Sequence, residues 1–263
     1  MTKKTIFFDI DGTLLSTLNG KRFVIPESTM QALHQLKRNG HQIVICSGRQ
    51  EAFIHKYFPG IFSSYVAMNG THVVYDGKTI FDHVLSKDEV VQLIERFDEV
   101  GAWYNFVGKA NGWSRNIPAS IMDDMNPIYG LENYIKTDWQ PQDVQANILD
   151  FFFEDEAHYK RVQSAFTGSL VMNRHGTELA ADLSFKETDK SKGIARFLEY
   201  TGIPKSDTFA FGDGYNDITM MSAVSCGVAM GNGVDEVKQA AAYVTDDIFS
   251  DGIYKALKHF ELI

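Results

Sequence analysis

Thr5-Ile6-Phe7-Phe8-Asp9-Ile10-Asp11-Gly12-Thr13 joins an unbroken apolar run to two carboxylates and a glycine. A short apolar run without polar alternation is the pattern of a central strand buried on both faces. Gly12 marks the place where such a strand can turn sharply. Carboxylates leaving a strand at its carboxyl end stand where open α/β sheets place their active sites. A purely structural role explains them poorly, because acids beside a buried strand cost free energy unless something cationic compensates.

Moving outward, the flanking sequence alternates strand and helix. Residues 27–39 predict a helix with Met30, Leu33 and Leu36 on one face and Gly40 as its stop. Residues 42–46 form a strand ending at Ser47-Gly48-Arg49, residues 50–58 a helix, and residues 65–68 a strand ending at Asn69-Gly70. Asp76-Gly77-Lys78 reads as the turn of a hairpin between 73–75 and 79–81. The same style returns late in the chain. A helix over 192–200 precedes a strand over 209–211 that ends at Gly212-Asp213-Gly214-Tyr215-Asn216-Asp217. A helix over 218–223, a strand over 226–230 and a helix over 236–242 follow. This alternation predicts an α/β protein with a Rossmann-like parallel sheet covered by helices.

The middle is different. Ser86-Lys87-Asp88-Glu89 has capping-box spacing and opens a helix through Val90, Leu93, Ile94 and Phe97. Strands are expected over 103–107, around Trp113, and over 148–153, 169–173 and 178–183, with a helix over 155–166. Residues 117–147 hold three of the six prolines and read as irregular. The expectation is an α+β cap inserted at 84–185, between core segments 1–83 and 186–263.

Composition narrows the functional classes. With 44% hydrophobic and 22% charged residues in 263, a soluble globular protein is expected. A net charge of −9 argues against general affinity for nucleic acid or anionic membranes. No apolar run approaches membrane-spanning length, and the short run after Met1-Thr2-Lys3-Lys4 is too brief for a signal-peptide core, so a cytoplasmic location is expected. Cys46 and Cys226 lie in apolar strand-like runs and read as buried thiols. The eight histidines show no His-Glu-x-x-His spacing, which disfavours zinc.

Four stretches share one sheet edge if the strands are parallel: Asp9 with Asp11, Ser47 with Gly48, Lys192 with Gly193, and Asp213 with Asn216 and Asp217. Close carboxylates repel by about 4 kcal/mol per pair at an effective dielectric near ~20. One lysine does not offset that. A hard divalent cation does, and an all-oxygen donor set selects magnesium (Mg2+) or calcium over zinc. Mg2+ commonly combines one or two carboxylates with a substrate phosphate. The Ser47 hydroxyl, the amides near Gly48 and the Lys192 ammonium suit that phosphate.

These residues resemble the motifs of the haloacid dehalogenase superfamily of phosphohydrolases, and more narrowly its Cof-type, sugar-phosphatase branch with a C2B-type α/β cap. Asp9-Ile10-Asp11-Gly12-Thr13 matches the first motif, Ser47 the second, Lys192 the third, and Gly212-Asp213-Gly214-Tyr215-Asn216-Asp217 the fourth. The second motif has Ser where many relatives have Thr, which keeps the hydroxyl. The resemblance implies Asp9 as nucleophile and Asp11 as general acid, then base, with its backbone carbonyl on Mg2+ beside Asp9 and Asp213. It implies Ser47 and Lys192 as phosphoryl-binding groups. Asp217 has three readings: a metal ligand, a residue behind the ligands, or the cap of the helix at Ile218. Gly48, Arg49, Asn69 and Asn216 are candidate substrate contacts, although Asn69-Gly70 also reads as a plain turn and Arg49 as a loop-locking ion pair. Trp103, Tyr104, Trp113 and Arg115 are candidate cap contacts set against the simpler reading of packing.

The function expected is Mg2+-dependent hydrolysis of a small phosphorylated metabolite, a sugar phosphate first. A phosphomutase of the same fold is the enzymatic alternative, and a non-catalytic phosphate-binding regulator is the alternative from another class.

Overall fold

A computed structural model describes residues 3–174 and 179–263. Thr5–Phe8 lies in the middle of an eight-stranded sheet, between Thr208–Gly212 and Gln42–Cys46, and pairs in parallel with both. The sheet order is Tyr243–Val244, Cys226–Ala229, Thr208–Gly212, Thr5–Phe8, Gln42–Cys46, Tyr65–Ala67, His72–Tyr75, Lys78–Asp82. The first six run parallel, and His72–Tyr75 returns antiparallel.

Apolar side chains leave Thr5–Phe8 toward both faces, which is why the run lacks alternation. Phe7 meets Phe197 of the helix Lys190–Thr201 edge-on, with centroids 5.5 Å apart. Val44, Val66 and Ala210 of the neighbouring strands join Phe7, Ile194, Phe197 and Met220 in one buried cluster. Phe8 points the other way and stacks on Phe211 at 5.1 Å. The helix Glu27–Arg38 packs against Gln42–Cys46 and beside the C-terminal helix Gly252–His259.

The edge strand Tyr243–Val244 lies outside the sequence-based expectations, and so do two further core elements. Gly252–His259 is one. The other is an antiparallel hairpin of Ser16–Leu18 and Lys21–Val24. Its turn residues, Asn19 and Gly20, have φ of 51° and 77°, the left-handed pair that a two-residue hairpin turn needs.

The α+β unit has a sheet of six strands in the order Ile135–Lys136, Gly112–Arg115, Trp103–Val107, Ile148–Phe152, Ala180–Phe185, Leu170–Arg174. The start expected at Glu178 falls outside the described residues. Pairing from Gly112–Arg115 through Leu170–Arg174 is antiparallel. Tyr104, Phe106, Trp113, Leu149, Phe151 and Leu183 form its core with Val90, Leu93 and Phe97 of the helix Lys87–Glu99. Tyr104 and Trp113 are therefore packing residues, and Arg115 is engaged by Asp98 at 2.6 Å. The capping box at Ser86 forms as its spacing predicts, with Glu89 N donating to Ser86 Oγ and Ser86 N to Glu89. The stretch expected to be irregular contains a helix, Ala119–Tyr129, with Pro127 inside it and Gly130 at φ 68° closing it.

Contacts divide the chain into a first unit of Met1–Arg49, Phe58–Phe81 and Asp189–Ile263 and a second of Gln50–Tyr57 and Asp82–Thr188. Against the expected insertion at 84–185, the second unit also takes in the helix Glu51–Tyr57. That helix is tied there by Ala52 N donating to Lys109 O at 3.0 Å and Lys56 Nζ donating to Gly130 O at 2.9 Å. Among the described residues, no helix is long and apolar enough to cross a membrane.

A tight turn at Met68–Gly70 brings the first unit's helix Lys190–Thr201 close to the sheet. Gly70 has φ of 85°, and a Cβ there would lie 2.2 Å from the Asp189 carbonyl oxygen. Gly70→Ala should destabilise the protein by about 2 kcal/mol or more, since overpacking and a strained φ add together. A lowered urea midpoint with an unchanged slope is the expected result.

Candidate active site

Three neighbouring parallel strands end at one edge, and each delivers a side chain. Asp9 follows Thr5–Phe8, with its amide still donating to Phe211 O at 2.9 Å. Ser47 follows Gln42–Cys46, and Asp213 follows Thr208–Gly212. Asp9, Ser47 and Asp217 are buried, and Asp213 is half-buried.

Gly12 lets the loop after Asp9 close against Asp213. Its φ is 81°, and a Cβ there would fall 2.0 Å from Asp213 Oδ2. Thr13 Oγ1 then donates to Asp213 Oδ1 at 2.9 Å. Asp217 holds the loop that carries Asp213 from behind: its Oδ2 accepts from the amides of Asp213 and Gly214, both at 2.9 Å. It makes no side-chain cap to the helix Ile218–Ala223, so that reading of Asp217 drops out.

The cation at the centre is Lys190. Its Nζ donates to Asp9 Oδ1 and Asp217 Oδ1, each at 2.6 Å, and its side chain is 1% exposed. This corrects the assignment of Lys192. Asp189 caps the helix by accepting from Lys192 N at 2.8 Å, which makes Lys190 the first helical residue. Two residues on, at about 100° per residue, the chain points to the other side of the helix. Lys192 accordingly has a 42% exposed side chain, with Nζ 3.7 Å from Asp189 Oδ2. The Lys-Gly pair was the wrong signal. The capping aspartate, which fixes the phase of the first turn, was the informative one.

Lys190 does not balance the acids around it. Burial first, then Asp217, pushes the Asp9 carboxyl up to about 7 despite the ammonium. Burial, then Asp9 and Asp217, pushes Asp213 up to about 8. Burial opposes the Lys190 charge, but Asp217 and Asp9 outweigh it and raise its pKa above the ordinary lysine value. Burial and the mutual repulsion of the acids together leave the cluster favouring added positive charge. Asp9, Asp213 and Asp217 each present an oxygen, all within 4.8 Å of one another. That donor set and charge deficit fit a hard divalent cation.

The remaining candidates surround this centre. Ser47 Oγ accepts from Arg49 N at 3.3 Å, and Asn69 N donates to Ser47 O at 3.1 Å. Asn69 is both turn and site neighbour. Its φ is 51°, and its side-chain oxygen would be 3.3 Å from a Cβ on Gly48. Asn216 Nδ2 approaches Asn69 Oδ1 at 3.5 Å. Arg49 grips Asp11, with Nε donating to Oδ2 and Nη2 to Oδ1, both at 2.7 Å. Of the two cysteines, both free, Cys46 is buried and Cys226 half-buried. Burial holds the Cys46 thiol far above its usual pKa.

An acid-lined edge on a parallel sheet, with a buried lysine tying two of the acids together, defines a class of phosphoryl-transfer protein. The chain belongs to the haloacid dehalogenase-like hydrolases, whose family model matches residues 6–257. It is an enzyme of the phosphoric monoester hydrolase type. YkrA of Bacillus subtilis (strain 168) is 31% identical over the full length of both chains. Pyridoxal phosphate phosphatase YbhA of Escherichia coli (strain K12) is 27% identical, covering 96% of this chain and 97% of that protein. Among solved structures, a subclass IIB sugar phosphatase of the same superfamily superposes with a TM-score of 0.82 at 29% identity, covering 99% of this chain and all of that one.

Lys190→Met should leave Asp9 and Asp217 facing each other without their cation and reduce turnover of a phosphate monoester by about 100-fold or more. Lys192→Met should stay within about twofold of the parent, because an exposed ion pair contributes little. Steady-state kinetics on the two variants side by side decide between the lysines.

Proposed function

We propose that this protein is a Mg2+-dependent phosphatase that hydrolyses the monoester of a small phosphorylated metabolite through an aspartyl-phosphate on Asp9. The observation that carries this reading is the cluster of Asp9, Asp213 and Asp217 around a single buried ammonium. Asp9, Asp213 and the backbone carbonyl of Asp11 would hold the metal, while Asp217 stands behind them. When bound, Mg2+ supplies the positive charge that lets an anionic phosphate approach carboxylates.

In the first step an Asp9 oxygen bonds to phosphorus while the bond to the ester oxygen breaks. The Asp11 carboxyl, once the Arg49 fork releases one of its two oxygens, gives its proton to the departing alkoxide. In the second step Asp11 takes a proton from water as that oxygen attacks the phosphoryl-aspartate, releasing inorganic phosphate and restoring Asp9. Lys190 meets charge on the transferring group, and the Ser47 hydroxyl and neighbouring amides donate to its other oxygens. Substrates of metabolite size, with sugar phosphates and pyridoxal phosphate first, agree with the names carried by the relatives. The chemistry at Asp9 itself is indifferent to the leaving alcohol.

Phosphate release from a panel of such monoesters tests this. Activity should vanish with EDTA, return on adding excess Mg2+, and disappear in Asp9→Asn without loss of the thermal transition. An active Asp9→Asn protein would end the proposal. So would formation of an isomeric sugar phosphate in place of inorganic phosphate.

A further inference from the structure

The hairpin absent from the sequence-based expectations reaches the site through one aromatic ring. Phe23, on its second strand, has φ of 58°. A bulky non-glycine residue holds that conformation only where its surroundings demand it, and such positions gather at functional sites. The ring lies beneath the guanidinium of Arg49, 5.4 Å from centroid to Cζ. That guanidinium occupies both oxygens of Asp11 at 2.7 Å.

An arginine can stack by its face while donating in its plane, so the two contacts are compatible and fix different degrees of freedom. The ring sets the height and tilt of the guanidinium, and the fork then sets the rotation of the Asp11 carboxyl. The Asp11 main chain is separately anchored, with a bridge to Leu15 and the next amide, Gly12 N, donating to Leu15 O at 2.8 Å. Its side chain is 47% exposed, so packing alone does not orient it. An exposed ion pair by itself adds little, whereas a two-pronged one backed by a ring gains geometric definition.

We propose that Phe23 is a positioning residue for Asp11, acting through Arg49. This rests on the reading of Asp11 as the group that donates and then accepts the proton. The strained backbone of the hairpin is the device that delivers the ring, and Arg49 transmits its position to the carboxyl. Asp11 acts on the leaving oxygen and on water rather than on the bound phosphate, so the effect belongs to turnover rather than to binding.

The test uses p-nitrophenyl phosphate with Mg2+ and the full chain. Phe23→Leu should lower kcat about tenfold while KM stays within about twofold, as expected when a catalytic group is misplaced rather than lost. Phe23→Trp, which keeps a face for the guanidinium, should recover kcat to within about threefold of the parent. In an Arg49→Lys background, Phe23→Leu should cost less than about twofold more, the non-additive signature of a shared pathway. Asp11→Asn separates the two readings. If it is inactive while Phe23→Leu turns over normally, the positioning role is wrong and the role of Asp11 stands. If Asp11→Asn keeps full activity, both fall together. Multiplying losses in the double variant, or a Phe23→Trp protein as slow as Phe23→Leu, would also overturn the proposal.

Discussion

The ammonium of Lys190, shared between Asp9 and Asp217, is the interaction on which the site depends. Burying it alone would be unfavourable, and burying either aspartate alone would be worse. Together they hold the end of Thr5–Phe8, the start of the helix Lys190–Thr201 and the loop after Thr208–Gly212 in one place. Asp217 is central to this: one oxygen takes the lysine and the other takes two loop amides. The arrangement is deliberately incomplete in charge. Burial first, and then the neighbouring carboxylates, raise Asp9 and Asp213, so the site favours added positive charge.

Close backbone approach makes that arrangement possible, and glycine makes the approach possible. Gly12 admits the Asp213 carboxylate, and Gly70 admits the carbonyl that begins the lysine's helix. Gly212 is equally constrained, since a Cβ there would sit 2.5 Å from the carboxyl carbon of Asp217. Each of these glycines lies beside an ionisable residue rather than in a free loop. The acids are thus legible as charge, whereas the close approaches that Gly70 and Gly212 permit are legible only once the distances are known.

Much of the core could be read from residues. The unbroken run at Thr5–Phe8 gave the buried central strand, and strand ends at Asp9, Ser47 and Asp213 gave the edge where chemistry gathers. Lys192 was a different matter. A lysine followed by glycine looked like the motif, yet helix phase decides which lysine turns inward, and Asp189 sets that phase. The hairpin was written in Asn19-Gly20, a turn signal between short strands whose exposed side chains gave no apolar pattern. Ala119–Tyr129 was hidden by Pro127, which argues against a helix in any local reading and is accommodated here near the helix end. The ion pair of Arg49 was one of its two sequence readings, but its partner Asp11 was not legible, and Thr13 reaching Asp213 has no sequence signal, because both depend on loops meeting in space.

The partners of the central ion pair, Lys190 and Asp9, are 181 residues apart, with the whole α+β unit lying between them in the chain. Sequence separation of that size carries a loop-closure cost and slows the pairing that must span it. During synthesis Thr5–Phe8 can pair with Gln42–Cys46 early, but its other edge must wait while the inserted unit emerges and closes its own largely antiparallel sheet. The parallel sheet is completed last, when Thr208–Gly212 slots beside Thr5–Phe8. Catalytic competence is then a late event on the folding route, and a prematurely ended chain lacks it however well its first half is made.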